Sequence, residues 1–414
     1  MDLKKTAADG ADGLIARQTP GYALEREFYT DPAIFERDLT RVLLRHWFCA
    51  GHVSSVPNPG DFLVVDLGQE SVIVVRNPDG DIRALVNVCR HRGSRVCTTR
   101  TGRASASRFT CPYHAWSYDL NGRLLIAREM PETFERSRFG LKALAVRVVA
   151  GLIFTTFADQ PPDFTDAQRA LEATAGAHGW GRAKVAHREA YSIEANWKLA
   201  IENYMECYHC QPAHPEFSAR HVYARPTLQS APFEAQGRRR AEALGIRIAD
   251  VDHYACAAAP GSESVSVFRS ALSDGVSSAT QDNRPIGRLM GDFTAHDGNS
   301  TYFDIGPISD FLAYADHGVI YRFIPRSVRQ TEMEVIWLVH EDAVEGRDYD
   351  RERLTWLWHT TSLEDKKIVE LNQAGISSRY FQPGPYSLQE PYARRFVDWY
   401  LREISAAPQT AVTG

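Results

Sequence analysis

The chain has 414 residues, of which 44% are hydrophobic and 24% charged, and its formal net charge is -5. This composition is typical of a globular protein of roughly two or three domains and excludes a chain that is disordered as a whole. Because the charge is mildly negative and no long basic run occurs, we expect no binding to nucleic acids or membrane surfaces. The polar N-terminus lacks an apolar signal core, and the seven cysteines are an odd number. We therefore expect a cytoplasmic protein whose cysteines are free or bind metal.

The first part of the chain predicts a short helix followed by an all-β module. After a polar tail at 1–20, apolar residues recur with helical spacing at 32–45. Short runs of Val, Ile and Leu then alternate with turn signals such as Asn-Pro-Gly and Asn-Gly, which predicts β-strands. The expected strands are 62–66, 71–76, 82–88 and 144–149. A Pro-Pro segment at 158–163 predicts a linker.

The remaining residues mix helical and strand patterns, which predicts an α+β domain. Expected helices lie near 166–177, 193–210, 350–374 and 389–404, and expected strands near 317–325 and 332–340. Residues 255–300 are rich in Ala, Ser and Gly, and we expect them to form loops, with a mobile lid as one interpretation.

Two short motifs in the β module each combine one cysteine with one histidine. Cys89 and His91 are separated by one residue, and Cys111 and His114 by two. A structural zinc site is one interpretation, although zinc knuckles usually pair like with like. A two-iron cluster, with two thiolates on one iron and two imidazoles on the other, accounts for the mixed pairs. Cys97 lies between the motifs without a paired histidine and is expected to be a small packed residue.

The predicted helix at 193–210 carries a polar row beside its apolar stripe. Asn203, Glu206 and His209 follow at intervals of three, and His214 comes shortly after. Two imidazoles and one carboxylate leave open positions on an iron ion, which is the facial-triad arrangement. Each histidine alone also fits a packed or solvated residue.

A third ligand must come from elsewhere in the chain. The helical pattern at 350–374 places Asp365 on a partly buried face, and Glu364 is almost as well placed. Periodicity leaves both open, and either also fits a surface carboxylate.

Taken together, these motifs resemble the Rieske non-haem iron oxygenases. The run Cys-Pro-Tyr-His-Ala-Trp at 111–116 is similar to the family's cluster motif, and residues 202–214 are similar to its mononuclear iron segment. The resemblance implies a Rieske [2Fe-2S] cluster on Cys89, His91, Cys111 and His114, and a mononuclear Fe(II) on His209, His214 and Asp365. The family's late Glu-Asp pattern favours Asp365 over Glu364.

The resemblance also implies the catalytic residues and the domain plan. Asn203 and Glu206 become the candidate catalytic residues, with Glu206 connecting the two metal centres. Most of the family has Asp at this position, and Glu resembles the branch that acts on quaternary ammonium compounds. Residues 1–45 become a helical segment of the catalytic domain, 46–160 the Rieske domain, and 161–414 a helix-grip catalytic domain.

The resemblance further implies reductive activation of O2 as co-substrate. The chain has no G-x-G-x-x-G after a strand, so a separate NAD(P)H-dependent flavin and iron–sulfur reductase is expected as a partner. Family members pass electrons between subunits, which implies a homotrimer.

The C-terminal part resembles glycine-betaine and proline-betaine (stachydrine) demethylases, on segments such as 372–377 and 383–386. This implies hydroxylation of an N-methyl group with formaldehyde release. A permanent cation needs aromatic ring faces, although each candidate ring also fits a core position. The candidates are Tyr204, Tyr208, Tyr302, Phe303, Tyr321 and Phe323. The alternatives are an aromatic-ring hydroxylating alpha subunit, which shares the metal residues, and a zinc-stapled binding protein without enzymatic activity.

Overall fold

Three antiparallel sheets and a set of helices form the computed structural model, which describes residues 10–225, 227–248 and 259–405. The predicted α+β class is confirmed. Within these ranges, no helix has both the length and the apolar composition needed to cross a membrane.

The N-terminal half contains ten strands in two sheets. In chain order they are β1 (Phe48–His52), β2 (Asp61–Leu67), β3 (Glu70–Arg76), β4 (Ile82–Val86), β5 (Thr101–Arg103), β6 (Arg108–Thr110), β7 (Ser117–Asp119), β8 (Leu124–Ile126), β9 (Ala143–Val149) and β10 (Leu152–Thr156). One sheet has the order β1-β10-β9-β4-β3-β2-β5, and β6, β7 and β8 form the other. The four predicted strands are confirmed as β2, β3, β4 and β9. Strands β1 and β10 were not predicted. The three-residue strands were not predicted either, because a run of three is too short to show an alternating pattern.

A six-stranded sheet follows, with the order β11-β16-β15-β14-β13-β12. Its strands are β11 (Lys184–Ile193), β12 (Val265–Ala271), β13 (Asn299–Ile305), β14 (Ser309–Ala313), β15 (Gly318–Ser327) and β16 (Gln330–Val339). The predictions at 317–325 and 332–340 are confirmed as β15 and β16. The expectation of loops throughout 255–300 is wrong at β12, where Val-Ser-Val-Phe alternates as a half-buried strand should. Residues 249–258 lie outside the described ranges.

Ten helices complete the described fold. They are α1 (Ala11–Arg17), α2 (Arg26–Thr30), α3 (Pro32–Asp38), α4 (Thr165–Leu171), α5 (Trp197–Tyr204), α6 (Cys210–Ala213), α7 (Pro215–Arg220), α8 (Thr227–Ala243), α9 (Arg351–Ile376) and α10 (Pro391–Ser405). Helices α3 and α4 each continue as a π-helical turn, at Leu39–Leu43 and Glu172–Gly176. The predictions at 32–45, 166–177, 350–374 and 389–404 are therefore confirmed as helical.

The predicted helix at 193–210 is wrong in extent. The side chain of Asn196 caps α5 by accepting a hydrogen bond from the backbone N–H of Lys198. After Tyr204 the chain leaves the helix, because the Glu206 carboxylate accepts the backbone N–H groups of Tyr208 and His209. Such local side-chain bonds compete with helical hydrogen bonds. In the polar row, Asn203 therefore lies in the last turn of α5, whereas Glu206 and His209 lie beyond its end.

The cysteine expectation needs one correction. Cys207 and Cys210 form a disulfide, whereas both were expected to be free or metal-bound. The turn after α5 brings their Cα atoms to 4.8 Å, a separation that a disulfide can bridge. Cys49, Cys89, Cys97 and Cys111 are free and buried.

The two faces of the six-stranded sheet pack against different partners. Leu312 and Tyr321 lie in the core shared with α5 and α9. Phe303 and Ile305 lie in a second core together with Phe154 and other residues of the N-terminal half. The first face thus positions one candidate metal site, and the second joins the sheet to the β module.

Candidate metal centres

The two Cys/His motifs lie on neighbouring turns of the β module. Cys89 and Cys111 are buried, and their thiols are close enough to interact electrostatically. His91 and His114 are exposed, with ring centroids 4.6 Å apart. Burial raises the pKa of the Cys89 thiol. Two adjacent buried sulfurs and two adjacent exposed imidazoles fit a two-iron cluster better than four equivalent ligands around one zinc ion.

Asn87, which the sequence analysis did not single out, fixes the first turn. Its side-chain oxygen accepts the backbone N–H groups of Val96 and Cys97 at 2.9 and 2.8 Å, and its amide donates to the Cys97 carbonyl at 2.8 Å. Cys97 is buried, as predicted for a packed residue. The three bonds hold the segment after the first motif in one conformation.

Tyr118 was also missed, and it contacts the candidate ligand Cys89 directly. Its hydroxyl oxygen accepts the backbone N–H of Arg90 at 3.0 Å and lies 3.2 Å from the Cys89 sulfur. A Cys89 thiolate that binds iron carries no proton, so the Tyr118 hydroxyl would be the donor to its sulfur. A hydrogen bond to a cluster sulfur raises the reduction potential of that cluster.

His209, His214 and Asp365 form a second group of converging ligand atoms. One donor atom from each lies within 4.8 Å of the others. The Asp365 carboxylate is 2.9 Å from Nε2 of His214 and 3.4 Å from Nε2 of His209. His214 is buried, whereas His209 and Asp365 are each 19% exposed. Two imidazoles and one carboxylate at the edge of solvent fit a mononuclear iron site with open positions.

A further carboxylate contacts the Nδ1 atom of each imidazole. Nδ1 of His209 is 2.5 Å from Glu206, and Nδ1 of His214 is 2.7 Å from Glu364. A carboxylate on Nδ1 directs Nε2 towards a metal, which is a common arrangement for histidine ligands. Helical spacing left Asp365 and Glu364 as alternatives. The structure distinguishes them, because Asp365 lies on the Nε2 side of His214 and Glu364 on its Nδ1 side.

The charges of this group favour an ionised carboxylate. Burial by itself raises the pKa of Asp365, but hydrogen bonds with His209 and His214 outweigh it and lower the pKa below its ordinary value. Burial lowers the pKa of His209, but Asp365 and Glu206 outweigh it and raise the value to about 9. The anionic carboxylates therefore provide a site that attracts positive charge.

The two candidate catalytic residues lie beside this centre. The Asn203 amide is 3.3 Å from Nε2 of His209. The Glu206 side chain is 12% exposed and bonds to His209 through both its ring and its backbone N–H. Asn203 therefore lies on the ligand side of the ring and Glu206 on the opposite side.

Four of the six predicted substrate-contacting rings belong to one aromatic cluster. Tyr204 contacts Tyr321 and Phe323 at centroid distances of 5.1 and 5.5 Å. Tyr302 contacts Tyr223 at 5.1 Å. Further rings that the sequence analysis missed extend the cluster towards His214, and these are Phe217, His221, Tyr223, Tyr314 and Trp358.

The other two predicted rings lie elsewhere. Tyr208 is 57% exposed on the turn that precedes His209. Phe303 lies on the opposite sheet face and stacks on Phe311 at 5.0 Å. Adjacent strand residues point to opposite faces, so Tyr302 and Phe303 cannot both line one pocket. The structure thus does not place Tyr208 or Phe303 in the aromatic cluster.

The chain matches two protein-family models. "Ring hydroxylating alpha subunit (catalytic domain)" covers residues 180–406, and "Rieske [2Fe-2S] domain" covers residues 46–142. The glycine betaine monooxygenase oxygenase subunit of Chromohalobacter salexigens is 37% identical over 97% of this chain and 90% of its own length.

Two groups of solved structures share the fold. One is the quaternary ammonium Rieske monooxygenase CntA, with a TM-score of 0.69, 22% identity, and coverage of 94% of this chain and 97% of that chain. Naphthalene 1,2-dioxygenase with bound indole gives a TM-score of 0.67 and 21% identity, and covers 93% of this chain and 92% of that chain. Since the two TM-scores are similar, the fold does not discriminate between cationic and aromatic substrates. The chain belongs to the Rieske non-haem iron oxygenases, as a catalytic subunit that combines a Rieske domain with a ring-hydroxylase catalytic domain.

Proposed function

We propose that the protein is a monooxygenase that hydroxylates an N-methyl group of a betaine-like quaternary ammonium compound, with glycine betaine or proline betaine as the substrate. One oxygen atom of O2 enters the methyl C–H bond, and the other leaves as water after two electrons and two protons are supplied. The hydroxymethyl product releases formaldehyde and the demethylated amine. The observation that carries this proposal is the aromatic cluster beside His209, His214 and Asp365.

The cofactors are those of the family, a Rieske cluster and a mononuclear iron that uses O2. Cys89, His91, Cys111 and His114 would hold the cluster, and His209, His214 and Asp365 the iron. When bound, the cluster supplies single electrons and the iron activates O2.

The aromatic cluster recognises the cation. A quaternary ammonium group has no N–H and cannot donate a conventional hydrogen bond, so ring faces are its natural neighbours, at about 0.5–2 kcal/mol per ring. Tyr321 is held in place because its hydroxyl bonds to Ser362 at 3.1 Å. Ser362 lies one helical turn before Asp365 on α9, so this ring is fixed close to the metal ligand.

Several buried donors in the cluster lack hydrogen-bond partners among the described residues. They include the hydroxyl of Tyr204 and the indole N–H of Trp358. A buried donor without a partner costs about 1–3 kcal/mol. The carboxylate of a betaine would satisfy such donors while its ammonium group contacts the rings.

The electron source is a separate NAD(P)H-dependent flavin and iron–sulfur reductase, and the enzyme works as a homotrimer. Exposure of His91 and His114 supports an electron path through the protein surface. The Glu206 carboxylate bonds to Nδ1 of His209. Electrons from the cluster of a neighbouring subunit would reach the iron through Glu206.

The test is formaldehyde release by the iron-loaded protein with a generic reductase, NADH and O2. Glycine betaine, proline betaine, carnitine, choline and a simple arene are compared, and the expected result is formaldehyde with one betaine. A diol from the arene, without formaldehyde from any methylated ammonium compound, would show that the enzyme is a ring hydroxylase. A colourless protein after iron and sulfide reconstitution would contradict both assignments.

A further inference from the structure

One buried carboxylate lies on the sheet face that the aromatic cluster covers. Asp310 is in β14, directly opposite Asp304 of β13 and Tyr321 of β15 in the strand register. Directly opposed residues share a face of the sheet, so the Asp310 side chain lies on the Tyr321 side. Only 3% of Asp310 is exposed.

Asp310 differs from the other buried carboxylates of the described residues. The six buried carboxylates are Asp38, Glu263, Asp297, Asp310, Asp316 and Glu334. Five of them accept hydrogen bonds from cationic side chains, histidine rings or backbone N–H groups. For Asp310, the described part of the chain offers neither a hydrogen bond nor an ion pair to the carboxylate. Buried carboxylates are normally paired, so Asp310 calls for a positive partner from outside the described residues.

Asp304, the residue directly opposite Asp310, does have polar partners. Its carboxylate accepts the Ser266 hydroxyl and is attracted by Arg395. Burial raises the pKa of Asp310 well above its ordinary value, and the charge of Asp304 raises it further. A cation beside Asp310 would offset both effects.

Asp310 lies next to the aromatic cluster that is proposed to bind the substrate. It interacts electrostatically with Tyr204, whose ring contacts Tyr321. Tyr321 in turn bonds to Ser362, one turn from Asp365. These contacts link the unpaired carboxylate, two ring faces and the metal ligand in one short chain of neighbours.

We propose that Asp310 is the counter-charge for the quaternary ammonium group and makes the pocket select a permanent cation over a neutral group of the same shape. The inference rests on the proposed function and names the residue that sets its substrate class. An ammonium group without N–H suits a carboxylate held without hydrogen bonds, because their attraction is purely electrostatic.

The experiment compares glycine betaine with 3,3-dimethylbutyrate, in which a quaternary carbon replaces the nitrogen. Binding of each compound to the metal-loaded enzyme is measured by titration calorimetry. The unmodified protein should bind the betaine at least about tenfold more tightly than the isostere. Asp310→Asn should weaken betaine binding by about 10- to 100-fold and change isostere binding by less than about threefold.

Asp304→Asn is the matched control, because it removes the other carboxylate of the same pair. It should leave the betaine preference within about threefold of the unmodified value. Equal losses in Asp310→Asn and Asp304→Asn would overturn the proposal, and so would an unchanged preference in Asp310→Asn. Equal binding of the two compounds by the unmodified protein would overturn it without any variant, which covers the case of a variant that does not fold. If betaine neither binds nor releases formaldehyde, the proposed function itself fails, a result distinct from lost selectivity alone.

Discussion

Replacing Glu206 by Gln should weaken iron binding more than the same change at Glu364. Each carboxylate bonds to Nδ1 of one histidine ligand, Glu206 to His209 and Glu364 to His214. Only Glu206 also accepts backbone N–H groups, from Tyr208 and His209. A carboxylate can accept all these bonds with its two oxygens, whereas an amide has one oxygen and one NH2 group.

The structure gives the size of the difference. In Glu206→Gln, either the ring N–H or the backbone N–H of Tyr208 faces the NH2 group and loses its acceptor. The Tyr208 contact is exposed and the His209 ring contact only part-buried, so this loss should cost about 1–1.5 kcal/mol, which corresponds to about 5- to 12-fold in affinity. In Glu364→Gln, the amide oxygen can still accept the single ring N–H. The side chain of Glu364 is 31% exposed, so its loss should stay below about fivefold.

The assay is anaerobic Fe(II) titration of both variants against a chromogenic chelator, with the cluster absorbance as a control for folding. Equal loss of affinity in the two variants, or a larger loss in Glu364→Gln, would refute the reasoning. With iron loaded, the reduced cluster of Glu206→Gln should also persist longer under substrate and O2 than that of Glu364→Gln.

Three further predictions concern the cluster and the stability of the fold. Tyr118→Phe removes the hydroxyl beside the sulfur of Cys89, a proposed cluster ligand, and should lower the cluster's reduction potential, measured by voltammetry. An unchanged potential would contradict the proposed hydrogen bond. Lys198→Met leaves the buried Asp38 without its cation and should lower the free energy of unfolding by about 3–5 kcal/mol in urea titrations; a loss below about 1 kcal/mol would show that the pair is dispensable. Burial alone lowers the pKa of His46, but Glu263 outweighs it and raises the value from 6.5 to about 9. The protonated ring therefore stabilises the fold fully below pH 6.5, and this contribution is lost as the pH rises to about 9. His46→Gln should flatten that decline in urea titrations, and an equally steep decline would refute it.

The cluster and iron motifs were predictable because their information is local. Cys89 with His91, and Cys111 with His114, are recognised by residue type and short spacing, which do not depend on the fold. The long helix α9 and the strands β15 and β16 were predictable for a similar reason, since their periodic patterns extend over ten residues or more.

What the sequence could not predict depends on contacts between distant segments. Tyr118 and Asp310 carry no motif, and their roles come from which groups surround them after folding. The end of α5 was missed because a carboxylate beyond it, Glu206, captures backbone N–H groups that a continuing helix would use. Periodicity could not separate Asp365 from Glu364, because adjacent residues of a helix differ by only 100° around its axis.

The alternation of side chains along β13 assigns neighbouring residues to separate tasks. Tyr302 lies on the sheet face of the aromatic cluster, while Phe303 and Ile305 pack against the N-terminal half. Substitutions at Tyr302 should change which compound is accepted. Substitutions at Phe303 and Ile305 should change how firmly the two halves of the protein pack together. Directed evolution towards a new substrate could therefore randomise every second position of this strand without weakening the packing between the six-stranded sheet and the N-terminal half.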